Sequence, residues 1–322
     1  MPALLLVRYG ELALKSTPVR REFESTLRRN IVQGFVHEGL ELRLRSDRGH
    51  LYADVGDAER GVRLLRRIFG VTSVSVVHEV PTERETIRAR LLELASGRLV
   101  DGASFAVRAR RTGSHPFTSQ ELARDLGADV LAAFPDRHLK VDLTNPDVEL
   151  FVEVRGPRTY LSLERFEGPG GLPLGVAGRL VALVDAPRGA LGAFFMMKRG
   201  CRVALAPAPP AVPRLRDLLL RFDPAARVQE LGPDRASWDA ALRPLVEAYH
   251  ADGVVLPLAV DEYPRARGTW GETLVFSPTV GLADAEVASR WDQVAELASE
   301  GAAGEGALAP VTGATGPPPR QR

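Results

Sequence analysis

The chain has 322 residues, 45% of them hydrophobic, and its 42 Lys+Arg against 41 Asp+Glu leave a formal net charge of +1. That length exceeds one typical domain, so two or three are expected, and the near-neutral balance excludes nucleic-acid recognition by bulk charge, leaving only a local basic patch. The single cysteine, Cys201, excludes an internal disulfide and a multi-cysteine metal site.

The opening M-P-A-L-L-L-V-R-Y-G-E lacks a basic start and a small-residue cleavage site, and no apolar run reaches the ~18 residues needed to span a bilayer. A cytoplasmic protein without membrane contact is expected. Leu4–Arg8 reads as a strand. A helix follows from about Pro18 to His37, with Phe23, Leu27, Ile31 and Phe35 spaced by fours on its buried side and Arg20, Arg21, Arg28 and Arg29 outside. Strands are expected at Leu40–Ser46 and His50–Asp54, joined at Asp47-Arg48-Gly49, and a further helix at Ala58–Ile68. Strand–helix–strand–strand–helix is the order of a small ferredoxin-like layer.

Val71–Val77 joins this layer to the stretch that carries most of the chemistry. There Phe105, Val107 and Ala109 alternate with Arg108 and Arg110, the period of a half-buried strand with two guanidiniums on one face. Arg111 and the turn formers Gly113, Ser114 and Pro116 come next. Thr118 or Ser119 can cap a helix whose buried side is Leu122, Leu126, Val130 and Leu131. Strands are expected at Leu139–Leu143 and Val148–Val154. An arginine-rich strand end beside a helix N-terminus suits phosphate, because guanidinium forks pair with phosphate oxygens and free N–H groups add to the attraction.

The phrases F-A-V-R-A-R-R, H-P-F-T-S and K-V-D-L-T-N-P-D make this stretch resemble the core of a THUMP domain, a module of RNA-modifying enzymes. The earlier R-Y-G-E-L-A-L-K-S, Arg8 to Ser16, resembles the N-terminal ferredoxin-like domain of the tRNA 4-thiouridine synthetase family, which precedes a THUMP domain there. In that family the pair grips the acceptor end of tRNA. The resemblance therefore implies that Arg108, Arg110, Arg111 and Lys140 neutralise RNA phosphates. It also implies that His115 contacts RNA, that Phe117, Thr118 and Ser119 shape the turn, and that Asn145 closes the neighbouring loop.

Glu164 to Gly178, E-R-F-E-G-P-G-G-L-P-L-G-V-A-G, can be read as a phosphate cradle, but no Gly-Lys-Ser/Thr ending follows it, and a linker is the better reading. The G-G-L-P-x-G phrase also leads into the catalytic domain of the thiouridine synthetases. Beyond it, apolar runs at Arg179–Val184, Arg202–Leu205, Arg227–Leu231, Val254–Val260 and Leu274–Phe276 alternate with helical patterns at Ala190–Arg199, Pro213–Phe222, Ala236–His250 and Asp284–Ser299. That alternation predicts a mostly parallel sheet covered on both faces, with ligands at the carboxyl ends of its strands.

The first strand-to-helix turn is Val184-Asp185-Ala186-Pro187-Arg188-Gly189, ahead of M-K-R-G. In the family it resembles, this position carries the ATP-binding PP-loop, S-G-G-x-D-S. Alignment from M-K-R-G sets Val184 on the first Ser, Asp185 and Ala186 on the two Gly, Arg188 on the Asp and Gly189 on the last Ser. No position agrees. Side chains at the Gly positions block close backbone approach, and Pro187 removes a donor. Asp185 would oppose phosphate by about 1–4 kcal/mol at ~4 Å, and one cation, Arg188, does not replace a nest of N–H groups. The family's R-R-x-M segment also has no counterpart, and Asp261-Glu262-Tyr263-Pro264 stands where a G-E-S turn belongs. Cys201, just after M-K-R-G, reads as a small buried hydrophobe. His37, His50, His78, His115, His138 and His250 show no metal-ligand spacing.

The expected fold is α/β with an α+β N-terminal half. It comprises a ferredoxin-like domain (1–60), a THUMP domain (61–167), a linker (168–178), a Rossmann-like degenerate PP-loop domain (179–300) and a disordered tail (301–322). The expected function is tRNA binding without a catalytic residue, metal or cofactor. Two alternatives stand: a uridine-thiolating enzyme with an altered ATP site, and a partner subunit for a sulfurtransferase or other tRNA-modifying enzyme. The family resemblance also allows a homodimer.

Overall fold

A computed structural model describes residues 2–10, 16–47, 49–210 and 212–299. Segment 11–15 of the R-Y-G-E-L-A-L-K-S phrase, Arg48, and the expected tail at 301–322 lie outside the described residues. Among the described residues no helix is long and apolar enough to cross a membrane.

Strand β1 (Ala3–Tyr9) lies between β3 (His50–Val55) and β4 (Val71–Pro81), antiparallel to both, and β2 (Leu42–Asp47) extends the edge beyond β3. Helices α1 (Thr17–His37) and α2 (Ala58–Leu65) cover one face. The fourfold spacing in α1 delivers Leu27, Ile31 and Phe35 to a core with Leu5, Val7, Val62 and Leu65, all at most 1% exposed, while Phe23 is only half-buried.

Strand β4 then serves two layers. Its first residues pair with β1, and His78–Pro81 pair with β8 (Arg158–Ser162). The sheet runs β2-β3-β1-β4-β8-β7-β5-β6 without a break, where β5 is Ser104–Thr112, β6 Lys140–Val141 and β7 Val148–Arg155; β9 (Phe166–Glu167) pairs with β4. Helices α3 (Arg84–Ser96) and α4 (Ser119–Ala133) pack on the second layer through Ile87, Leu91, Leu122, Leu126 and Val130. Leu131, expected on that buried side, is 40% exposed, because the α4 stripe turns away from it toward Val130. The strand expected over Leu139–Leu143 is cut to Lys140–Val141: the Asp142 N–H still donates to the Phe105 carbonyl at 3.0 Å, but those of Thr144 and Asn145 turn to the Asp142 carboxylate instead of a ladder.

The third layer is a parallel sheet, β11-β10-β12-β13, of β10 (Arg179–Val184), β11 (Arg202–Pro207), β12 (Gly253–Val255) and β13 (Leu274–Phe276). Its strands are nearly continuous apolar runs because helices lie on both faces. Helices α5 (Pro187–Lys198), α6 (Val212–Leu220) and α9 (Asp284–Ser299) share one core; α7 (Trp238–Tyr249) and α8 (Tyr263–Trp270) contribute to the other. The run at Arg227–Leu231 follows β11 only irregularly, with a bridge at Leu205–Val228. The run expected to continue to Val260 ends at Val255, two residues before Pro257, which has no N–H for a ladder.

The Gly-rich segment is fastened along its length. Gly168 and Gly170 N–H groups donate to Thr72 and Val71, Leu172 to Lys198, and Gly175 to Gly200. Gly171 has φ +71°, and a Cβ there would lie 2.2 Å from the Lys198 carbonyl oxygen, so glycine is required. Phe69, in the turn after α2, enters the third core beside Phe194 and Phe222, with ring centroids 5.4 and 5.6 Å away. Cys201 is buried in that same core, its thiol donating to the Ala177 carbonyl at 3.3 Å.

Candidate nucleic-acid interface

Strand β5 presents the expected arginines in three different states. Arg108 donates through Nε to Glu149 at 2.7 Å and through Nη2 to the Leu143 carbonyl at 2.9 Å, so its charge is already matched. Arg110 is exposed and makes no ion pair or hydrogen bond among the described residues. Arg111 points to the opposite face and donates to the Gly113 carbonyl at 2.9 Å, within a turn that Gly113 allows at φ +97°. Residues alternate across a strand, so one phosphate cannot meet Arg110 and Arg111 on the same side.

The turn that follows is built locally. His115 Nε2 lies 3.2 Å from the Thr112 carbonyl, which fits the tautomer with hydrogen on that nitrogen. Its ring stacks on Phe117 with centroids 5.5 Å apart, and Phe117 rests against the core of the second layer. Thr118 is the α4 cap and Ser119 the first helical residue. Thr118 Oγ1 accepts from the Glu121 N–H at 3.1 Å, and the Glu121 carboxylate accepts from the Thr118 N–H at 2.7 Å. The expected free, anion-seeking helix end is corrected by this capping box, which takes up two donors and sets a carboxylate at the first turn. These hydrogen bonds hold the Glu121 carboxyl below the usual carboxylate range.

Lys140 is exposed on β6 and pairs in register with Ser104, at the other end of β5 from Arg110. Six strand residues separate those levels, roughly 20 Å. Asn145 lies in the loop beside Arg108, its N–H donating to Asp142 at 3.0 Å. The expected set is therefore spread along the strand rather than gathered at one point.

Three arginines not anticipated from the sequence extend the field of Arg110. Arg8 Nε donates to Glu153 at 2.8 Å, Arg155 Nη2 donates to the other Glu153 oxygen at 2.6 Å, and Arg165 Nε donates to Ser73 at 2.9 Å. Burial alone would raise the Glu153 pKa, yet Arg8 and Arg155 hold it down at about 2. Arg165 is pushed down by burial and then by Arg8 and Arg110, so these like charges act on one another. Glu153 bonds to only two of these guanidiniums, Arg8 and Arg155, and Arg165 and Arg110 have no ion pair among the described residues, a local surplus of cation inside a neutral chain. Arg8 opens the R-Y-G phrase, but only the sheet brings β1, β5 and β7 together.

In the third layer the β10–α5 turn is short. Val184 is fully buried as the last strand residue, and α5 begins at Pro187. No residue from Val184 to Gly189 has a positive φ, so the alternation that forms an N–H nest is missing. One Asp185 carboxylate oxygen is buried without a partner, and burial pushes this carboxyl up. Arg188 turns away, donating to the carbonyls of Thr279 (2.6 Å) and Leu282 (2.8 Å) and pairing with Asp284. Ala186 supplies no side-chain cap. A Cβ on Gly189 would lie 2.4 Å from the Leu183 carbonyl oxygen, so this glycine serves close helix–strand packing.

Residues 4–75 match the model of the ThiI ferredoxin-like domain, and residues 82–164 match that of the THUMP domain. The chain carries these two domains in its first half. Among curated relatives, the probable tRNA sulfurtransferase of Methanosarcina acetivorans is 38% identical over 209 residues, 63% of this chain and 50% of that protein. The tRNA sulfurtransferase of Pyrobaculum aerophilum is 38% identical over 205 residues, 62% of this chain and 40% of that protein. The chain thus spans about half the length of the curated relatives it matches. Among solved structures, PH1313 from Pyrococcus horikoshii superposes with a TM-score of 0.75 at 27% identity, over 91% of this chain and 99% of that one. A 4-thiouridine synthetase–RNA complex with bound ATP also gives 0.75, at 22% identity over 92% and 86%, a likeness of fold alone.

Proposed function

We propose that this THUMP-domain protein binds tRNA through the exposed end of β5 and the His115–Phe117 turn, and that its third domain supports this grip without activating ATP. Arg110 carries the reading. It is an exposed guanidinium with no partner of its own, set in the surplus field of Arg8, Arg155 and Arg165. A phosphate would neutralise it, and the His115–Phe117 stack offers a flat ring surface to an unpaired base. The tRNA sulfurtransferase names of the relatives support tRNA as the nucleic acid.

Absence of adenylation is inferred from the β10–α5 turn. Asp185 puts a carboxylate where phosphate would enter, Pro187 lacks a donor, and Arg188 is held by the 279–284 segment. Filter binding of tRNA to wild type and to Arg110→Ala/Arg111→Ala tests the first part. Loss of at least about 10-fold is expected, with a shallower salt dependence; unchanged affinity and slope would remove the proposal. ATP-dependent adenylation of tRNA by the full chain tests the second, and turnover abolished at Asp185 would restore the enzyme reading.

A further inference from the structure

A cleft of about 330 Å³ opens where α1 meets the amino ends of the third-domain strands, some 20 Å along β10 from the Asp185 turn. Its walls include Arg29 of α1, Arg179 at the start of β10, Arg202 at the start of β11, Arg227 and Tyr249. Arg202 divides one nitrogen between both oxygens of the buried Asp223, at 3.1 and 3.2 Å. The other three guanidiniums have no carboxylate partner among the described residues. Arg29 donates to the Thr26 hydroxyl at 3.1 Å and Arg227 to the Ala248 carbonyl at 3.3 Å.

The Tyr249 ring organises two of them. The guanidinium carbons of Arg179 and Arg227 stand 5.8 and 5.2 Å from its centroid, close enough for cation–π attraction to hold them without neutralising them. Asp252, whose carboxylate accepts from the Arg179 N–H at 2.9 Å, is the second nearby acid. Four guanidiniums against Asp223 and Asp252 leave two positive charges unmatched. The Gly175 N–H at the rim does not add to the field, since it donates to Gly200. Recognition here falls to guanidinium forks, which match phosphate oxygens in geometry and charge.

We propose that this cleft is a phosphate-binding site in which a phosphate of an RNA backbone, or of a small phosphate compound, is held between α1 and the third domain. The cleft shares no lining residue with the β5 surface or the β10–α5 turn, so the proposal does not depend on either reading of them. The full chain is titrated with pyrophosphate by calorimetry and with tRNA by filter binding over a salt series. Variants are Arg179→Gln/Arg227→Gln, Arg29→Gln on the opposite wall, and Arg290→Gln on α9 as a charge control. If the phosphate is free, wild type binds pyrophosphate and the double variant weakens it at least ~10-fold. If it belongs to RNA, pyrophosphate gives no heat and the double variant lowers the salt slope for tRNA by about 1.4–1.8. Arg29→Gln shows the same loss to a smaller degree, with circular dichroism unchanged. A double variant equal to wild type in both titrations overturns the proposal, as does an equal loss in Arg290→Gln. Neither result touches the Arg110/Arg111 test of the β5 surface.

Discussion

Arg8 of the first strand and Glu153 of the seventh meet in a buried ion pair that ties the ferredoxin-like layer to the THUMP layer, each side chain only 9% exposed. The Arg8 Nη1 also donates to Ser75 on the shared strand β4, at 3.0 Å. The pair sits at the junction of the continuous sheet, and the surplus positive field grows from it.

Glu153→Gln leaves two buried guanidiniums without their counter-charge. A loss of about 3–5 kcal/mol is expected, the scale for breaking one side of a buried pair, read from urea unfolding. The pH dependence has a definite sign. The folded carboxyl titrates at about 2 against an ordinary value of 4.5. Its stabilisation is therefore complete above pH 4.5 and drains away as pH falls toward 2. Wild type should lose stability through that window, and Glu153→Gln should lack this contribution.

Arg108 and Arg110 lie on the same face of β5 but should not contribute equally to tRNA affinity. Arg108 is matched by Glu149 at 2.7 Å, whereas Arg110 is unmatched. Arg110→Ala should lower affinity more than Arg108→Ala and reduce the salt slope by about 0.7–0.9. Glu149→Gln should raise affinity roughly 2- to 5-fold, the scale of an exposed ion pair, by releasing Arg108. Filter binding at fixed salt orders the three variants, and equal losses for the two arginines would contradict the assignment.

Asp185 carries a buried carboxylate oxygen with no partner, and burial raises its pKa. Ionisation therefore destabilises the fold at neutral pH, and that cost disappears as pH falls below the ordinary value of 3.8. Asp185→Asn should raise the melting temperature at pH 7 and give no gain near pH 3.5. A scan of Tm against pH for both proteins checks the sign.

Gly189→Ala should destabilise the third domain by about 1–3 kcal/mol or more, because the added carbon meets backbone that cannot swing aside. Its ideal position is 2.4 Å from the Leu183 carbonyl oxygen. Gly232 has nothing within 4 Å of the corresponding point, so Gly232→Ala should change little. Urea midpoints of the two variants make the comparison.

Much of this was legible in the chain. Fourfold spacing located α1, alternation located β5, and β10 and α9 fall on the residues their patterns marked. Local periodicity suffices there because each element buries a face against a neighbour that repeats the same pattern. Turn chemistry was legible as well, since Thr118 caps α4 by reaching only three residues ahead. Other pieces were missed: α8 (eight residues) and the two-residue β9 have too little length to show a period, and α3 (13 residues) and β8 were not marked either, α3 burying only Ile87, Leu91 and Ala95.

What the residue order alone determined, then, is the kind of each element and the chemical types placed along it, because those depend on neighbours within a turn or two. Which charges remain free was decided by tertiary structure. Glu149 cancels Arg108 from another strand, Asp284 draws off Arg188 from 96 residues away, and Arg8 reaches Glu153 across 145 residues. A cation's availability depends on distance to its counter-charge, and that distance is fixed only when the sheets close.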